Sequence, residues 1–98
     1  MHVIAWSYRV ASGRERDFEA LYAADGEWSR LFAGSPDYLG TQLLRDVDDP
    51  SRYVTLDRWR TREDYEAFLQ VMHEDYAALD RRGDALTDAE VRIGVIDG

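Results

Sequence analysis

LDRWRTREDYEAF, residues 56–68, changes its hydrophobic period halfway along. Through Trp59 the residues alternate as a strand does, with Asp57 and Trp59 on one face and Leu56 and Arg58 on the other. From Thr61 the pattern is helical. Thr61 is the expected N-cap, and Glu63 and Asp64 lie in the first turn, where the helix dipole favours acids. Tyr65, Phe68, Leu69, Met72, Tyr76 and Leu79 then recur at i, i+3, i+4, i+7, i+11 and i+14, one apolar stripe that the sequence ends at Gly83. The stretch is a strand-to-helix corner with an aromatic residue on each side.

Working outward, His2 to Val10 alternates as a first strand. Ile4, Trp6, Tyr8 and Val10 share one face; Val3, Ala5, Ser7 and Arg9 share the other, and His2 lies at the frayed end. Ser12-Gly-Arg-Glu15 has the pattern of a capping box. Phe18, Leu21, Tyr22, Trp28, Leu31 and Phe32 follow at helical spacing, with Gly26 as a break or kink and Gly34-Ser-Pro36 as the end. Tyr38 to Val47 and Arg52 to Arg60 read as a hairpin joined by Asp48-Asp-Pro-Ser51. Asp46, Asp48 and Asp49 there lack the glycine and distal glutamate of a calcium loop, so a solvated turn is expected. Thr87 to Glu90 reads as a short turn before a last strand from Val91 to Asp97.

The order is β-α-β-β-α-β, a ferredoxin-like α+β fold with a four-stranded antiparallel sheet and both helices on one face. In the third strand Tyr53, Thr55, Asp57 and Trp59 oppose Val54 and Leu56. Apolar residues on both faces predict that two sheets pack against each other in a homodimer, each protomer keeping its own space between sheet and helices. A chain of 98 residues without repeat, linker or low-complexity tract reads as one domain over 1–98, small enough to gain from such a partner.

Composition narrows the chemistry. A net charge of −8 and a pI near 4.6 speak against nucleic acid and anionic membrane surfaces as partners. No stretch approaches the roughly 20 apolar residues of a membrane span, and the N-terminus lacks a signal-peptide pattern, so a cytoplasmic protein is expected. Absence of cysteine removes thiolate chemistry, and all 12 basic residues are arginine, so no lysine is available for a Schiff base. His2 and His73 have no metal-ligand spacing. Neither a metal nor a cofactor is expected.

Several residues remain as candidates, each with packing as the competing account. Trp59 either plugs the core or forms a site wall. Tyr65 and Tyr76 project within about 20° of each other on the helix stripe, and a buried hydroxyl there needs a partner. His73 lies about 80° from Tyr65, on the stripe's flank, and has the ordinary pKa of a general base. Asp57, on the Trp59 face, is expected to pair with an arginine; left unpaired, it would titrate high and could serve as a base itself.

The stretch YLGTQLLRDVDDPSRYVTLDRWRTREDYEAF resembles the core of the antibiotic-biosynthesis monooxygenase-like family, and YAALDRRGDALTDAEVRIGVID resembles the tail of an uncharacterised bacterial branch of it. The resemblance implies a dimeric α/β barrel. It further implies cofactor-independent oxygenation of a small aromatic compound, phenolic, anthrone or quinol-like, in which the deprotonated substrate passes an electron to dioxygen. A cyclase or isomerase, or a non-catalytic ligand-binding dimer, is the alternative on the same fold. Trp59 matches the family's tryptophan at the end of the third strand, Tyr65 its tyrosine six positions on, and His73 its histidine fourteen positions on. These three are the implied catalytic set, with His73 or a water linked to a tyrosinate as base.

Trp6, Tyr8, Thr55, Asp57, Phe68, Met72 and Tyr76 are the implied substrate-binding set. Thr55 stands where some family oxygenases have asparagine, and Trp6 where haem-degrading members have one, which argues against haem degradation. A cavity of at least about 300 Å³ beside Trp59 is what a substrate would require.

Overall fold

The computed structural model describes residues 1–98. Its elements are β1 (His2–Val10), α1 (Glu15–Tyr22), α2 (Glu27–Phe32), β2 (Tyr38–Arg45), β3 (Arg52–Trp59), α3 (Arg62–Val71), α4 (His73–Asp84) and β4 (Thr87–Asp97). The strands form one antiparallel sheet in the order β2-β3-β1-β4. This is the ferredoxin-like arrangement, with each of the two expected helices divided in two.

Register decides which residues face the helices. Across β1 and β3, His2 opposes Trp59, Ile4 opposes Asp57, Trp6 opposes Thr55 and Tyr8 opposes Tyr53. Ile4, Tyr8, Val10, Tyr53, Thr55 and Trp59 on this face are buried. They pack with Phe18, Tyr22, Trp28 and Phe32 from α1 and α2 and with Phe68 and Leu79 from α3 and α4. Trp59 is 0% exposed, its ring 5.2–5.4 Å from those of Phe32, Tyr38, Tyr65 and Phe68. The core is thus an aromatic network, in which tilted and edge-on ring pairs add to area burial.

The opposite face carries Val3, Leu44, Val54, Leu56, Val91 and Ile96, by the same registers. Leu44, Val91 and Ile96 are exposed at 42, 60 and 60%. Ser7, Arg9, Gln42 and Arg58 share this face with them.

Local chemistry explains most element ends and corrects several expectations. The Thr61 hydroxyl accepts the Asp64 amide at 3.1 Å, as an N-cap should. Ser12 to Glu15 forms no capping box: α1 starts after Arg14, without a side-chain cap. At Gly26, which precedes α2, a Cβ would lie 2.6 Å from the Leu21 carbonyl oxygen, so the chain reverses where only glycine fits. Asp46 accepts the amides of Asp48 and Asp49 at 2.8 and 3.1 Å, and Asp49 pairs with Arg9 at 2.8 Å; the acids are turn formers. The last strand begins at Thr87, with no separate turn to Glu90.

The stripe from Tyr65 to Leu79 is not one helix. Met72 has ψ of 22°, far from the helical value near −42°, and separates α3 from α4. Beside the break, His73 Nδ1 donates to the Gln70 carbonyl at 3.1 Å. Nor does Gly83 end the stripe. It lies in the last turn of α4, buried against Tyr22, where a Cβ would run into the tyrosine hydroxyl.

Gly83 yields a prediction that runs against helix propensity, which favours alanine by about 1 kcal/mol. Gly83→Ala should lower the thermal midpoint by several degrees, and adding Tyr22→Phe should restore most of it. A stabilised Gly83→Ala, measured by calorimetry, would contradict this packing.

Candidate functional site

Between the sheet and the helices lies a cavity of about 30 Å³, room for a pair of water molecules. The sheet contributes Trp6, Tyr8, Thr41, Thr55, Asp57 and Glu90 to its wall. Helices α2 and α4 contribute Trp28, Phe32, Tyr76 and Asp80, and α1 contributes Tyr22. The volume falls well short of the roughly 300 Å³ of a small-molecule site.

Asp57 is the ionisable group that the pleat of β3 forces inward. The expected arginine partner is absent: Asp57 forms no salt bridge and accepts instead from the Thr41 hydroxyl at 2.6 Å. Thr41 lies 2.5 Å from the Tyr38 hydroxyl, and since Thr41 donates to Asp57 it accepts from Tyr38. This donor order is set by the hairpin. A bulge between Tyr38 and Gly40, whose φ of 126° suits glycine, puts Tyr38 opposite Trp59 and Thr41 opposite Asp57. Burial raises the Asp57 carboxyl to about 6, and the Thr41 hydrogen bond only partly opposes the rise.

The tyrosines around it stay neutral. Burial pushes the phenols of Tyr8, Tyr22, Tyr65 and Tyr76 upward, and the negative charge of Asp57 adds to the rise for Tyr8, Tyr65 and Tyr76. A tyrosinate base is therefore disfavoured here. Asp80 and Glu90 of the cavity wall and the exposed Asp84 bring one oxygen each within 4.8 Å of one another. Burial, a hydrogen bond with Asp84 and the charges of Asp80 and Asp84 raise Glu90 to about 7. These three are the acidic oxygens that come together in space.

Of the residues expected from sequence, Trp6, Tyr8, Thr55, Asp57 and Tyr76 meet at the cavity wall. Trp59 is packed behind it, and its Nε1 is buried without a partner. Tyr65 is half-buried, its ring 5.4 Å from Trp59 and 5.9 Å from His2. Phe68 and Met72 line a separate surface depression with Gly34, Asp37 and Val71. His73 is exposed and bonded to its own helix, so the fold does not bring it to the cavity. His2, expected at a frayed end, is 2% exposed and bonded through Nδ1 to Asp97 at 2.5 Å.

Sequence reasoning missed Thr41, Asp80 and Glu90. A hairpin turn centred on Asp49 pairs Thr41 with Asp57, so the first was available; the other two depend on where α4 crosses β4.

Residues 1–78 match the sequence profile of the antibiotic biosynthesis monooxygenases. The chain belongs to that family. Among solved structures, an asparagine-to-alanine variant of SnoaB, a cofactor-independent oxygenase from Streptomyces nogalater, is similar at a TM-score of 0.83 and 18% identity, covering 99% of this chain and 91% of that one. An assigned antibiotic biosynthesis monooxygenase of Bordetella bronchiseptica gives 0.79 and 23%, over 99% and 95%. An arginine-to-serine variant of MhuD with two manganese protoporphyrin IX molecules per active site gives 0.74 and 21%, over 100% and 94%. These likenesses establish the shared fold. No curated protein matches the chain in sequence.

The Asp57 titration has a thermodynamic consequence. The folded protein holds this proton more tightly than the unfolded chain, so stability falls as pH rises from about 3.8 to about 6 and stays lower above it. At pH 8 Asp57→Asn should be more stable than the parent by up to about 3 kcal/mol, water in the cavity reducing the figure. The difference should vanish below pH 4. Denaturant midpoints across this range check the sign; a variant destabilised equally at both ends would place Asp57 in an ordinary hydrogen bond.

Proposed function

We propose that this member of the family is a cofactor-independent monooxygenase acting on a small phenolic, anthrone or quinol-like compound, with Asp57 as the general base. The supporting observation is a carboxylate on an aromatic cavity wall, with no cation against it and a pKa near 6. Such a group is ionised at neutral pH and remains basic enough to take an acidic proton. The resulting substrate anion supplies the electrons: one passes to dioxygen, the radical pair combines to a peroxide that takes up a proton, and its O–O bond breaks as the same carbon loses its remaining hydrogen as a proton, leaving a carbonyl and water. The protein removes the proton, holds the anion, and limits water.

In this reading Trp6, Tyr8, Thr55 and Tyr76 contact the substrate. Trp59 and Tyr65 back the wall, Thr41 orients Asp57, and His73, Phe68 and Met72 have structural roles. A ring enters by displacement of the half-buried Trp6 and Tyr76. The break at Met72 lets α4, which carries Tyr76 and Asp80, tilt without disturbing the corner at Trp59. The apolar outer sheet face is the surface of a homodimer.

The small cavity favours a second reading, a dimer whose closed core does no chemistry. Oxygen uptake with a panel of anthrones and quinols separates the two. Wild type should consume O₂ with a rate that rises with pH through about 6, the value at which Asp57 ionises. Asp57→Asn should lose on the order of 10²-fold or more, the usual share of a general base, while His73→Ala stays near the parent rate. No uptake with any member of the panel leaves the closed-core reading; product formed without O₂ would point to a cyclase or isomerase.

For the interface, sedimentation at micromolar concentration should give a dimer, and Leu56→Arg a monomer with unchanged circular dichroism. A monomeric parent would remove the sheet-to-sheet arrangement.

A further inference from the structure

A second cleft opens between α3 and the β1–β4 side of the sheet. It encloses about 90 Å³ and is lined by His2, Trp6, Tyr65, Arg62, Arg92 and Val95, with Ile4 and Glu66 completing it. His2 is 2% exposed, yet only one edge of its ring is occupied. Nδ1 meets Asp97 Oδ1 at 2.5 Å, and that hydrogen bond, ahead of the imidazole's charge, holds the Asp97 carboxyl below the usual range. A carboxylate on Nδ1 fixes the hydrogen there and leaves Nε2 free to accept or, once protonated, to donate.

Nε2 has no partner in the protein. His2 lines the cleft, so the ring edge without a hydrogen bond lies at its wall.

The charges around it are specific. Arg92 enters from β4 and forms no ion pair; Arg62 enters from α3 and is tied to Glu66 at 3.3 Å. Asp97 is engaged by His2. In a chain of net charge −8, one free guanidinium and one open imidazole edge face the same cleft, beside the apolar surfaces of Ile4, Trp6 and Val95.

We propose that this cleft binds the carboxylate of a small molecule that carries it on an apolar ring, with His2 Nε2 donating to one oxygen and Arg92 holding the anion. The ligand binds as its anion, so no ligand bond breaks: the proton on Nε2 comes from solvent and is donated to a ligand oxygen, with Asp97 on the other ring nitrogen. The volume suits a head group, since sites for whole ligands run to about 300 Å³ or more. Trp6 lines both this cleft and the Asp57 cavity, so one indole separates two acid–base groups. The cleft stands apart from the Asp57 reading and does not depend on it.

Benzoate and benzamide titrated into ¹⁵N-labelled protein, with the imidazole nitrogens of His2 observed by NMR, test the proposal. Benzoate should bind saturably and move the His2 Nε2 resonance, while benzamide should not. Arg92 is exposed, so Arg92→Gln keeps the fold; it should weaken benzoate by about tenfold or more, the worth of a charge-assisted hydrogen bond. Asp57→Asn should bind benzoate as the parent does, which separates this site from the monooxygenase reading. No saturable binding, binding that leaves His2 unmoved, equal binding of benzamide, unchanged affinity in Arg92→Gln, or loss in Asp57→Asn would each overturn it.

Discussion

A strand that buries Tyr53, Thr55 and Trp59 must turn Asp57 the same way, because side chains two apart share a face. Everything distinctive about the interior follows from that constraint. The carboxylate arrives among aromatic rings without an arginine, and the β2–β3 register supplies a hydroxyl as its partner. Desolvation outweighs that single hydrogen bond, which leaves a weakly acidic group on a wall it shares with Asp80 and Glu90. The surrounding tyrosines respond to the same field and hold their protons more firmly.

Elements with strong local patterns were legible from sequence. Alternation in residues 2–10 and 52–60, the turn formers between the hairpin strands, and Thr61 ahead of two acids are decided within a few residues, so the strands and the corner follow. The residues turned toward the helices were legible for the same reason. What failed depends on a single side chain or on distance. No periodicity announces that the backbone leaves helical values at Met72, within a continuous stripe. Gly83 has the composition of a terminator, but its place is set by Tyr22, sixty-one positions earlier in the chain.

The site shows the same division. Five of the expected wall residues lie on the cavity because four of them belong to strands whose facing was readable. His73 lies off the cavity because helical projection gives an angle without saying what lies opposite it. His2 was missed because a strand end was taken for a loose end; the long β4 pairs along β1 as far as Asp97 and encloses it.

The break at Met72 divides labour along the chain. Residues of α3 pack on Trp59 and hold the strand-to-helix corner, while α4 supplies Tyr76 and Asp80 to the cavity. Substitutions in α4 therefore alter the shape and charge of the enclosed space at little cost to the corner, and those in α3 do the reverse. Drift at Tyr76 and Asp80 thus reshapes the enclosed space, while Leu79 and Gly83 of the same twelve-residue segment stay fixed by the core.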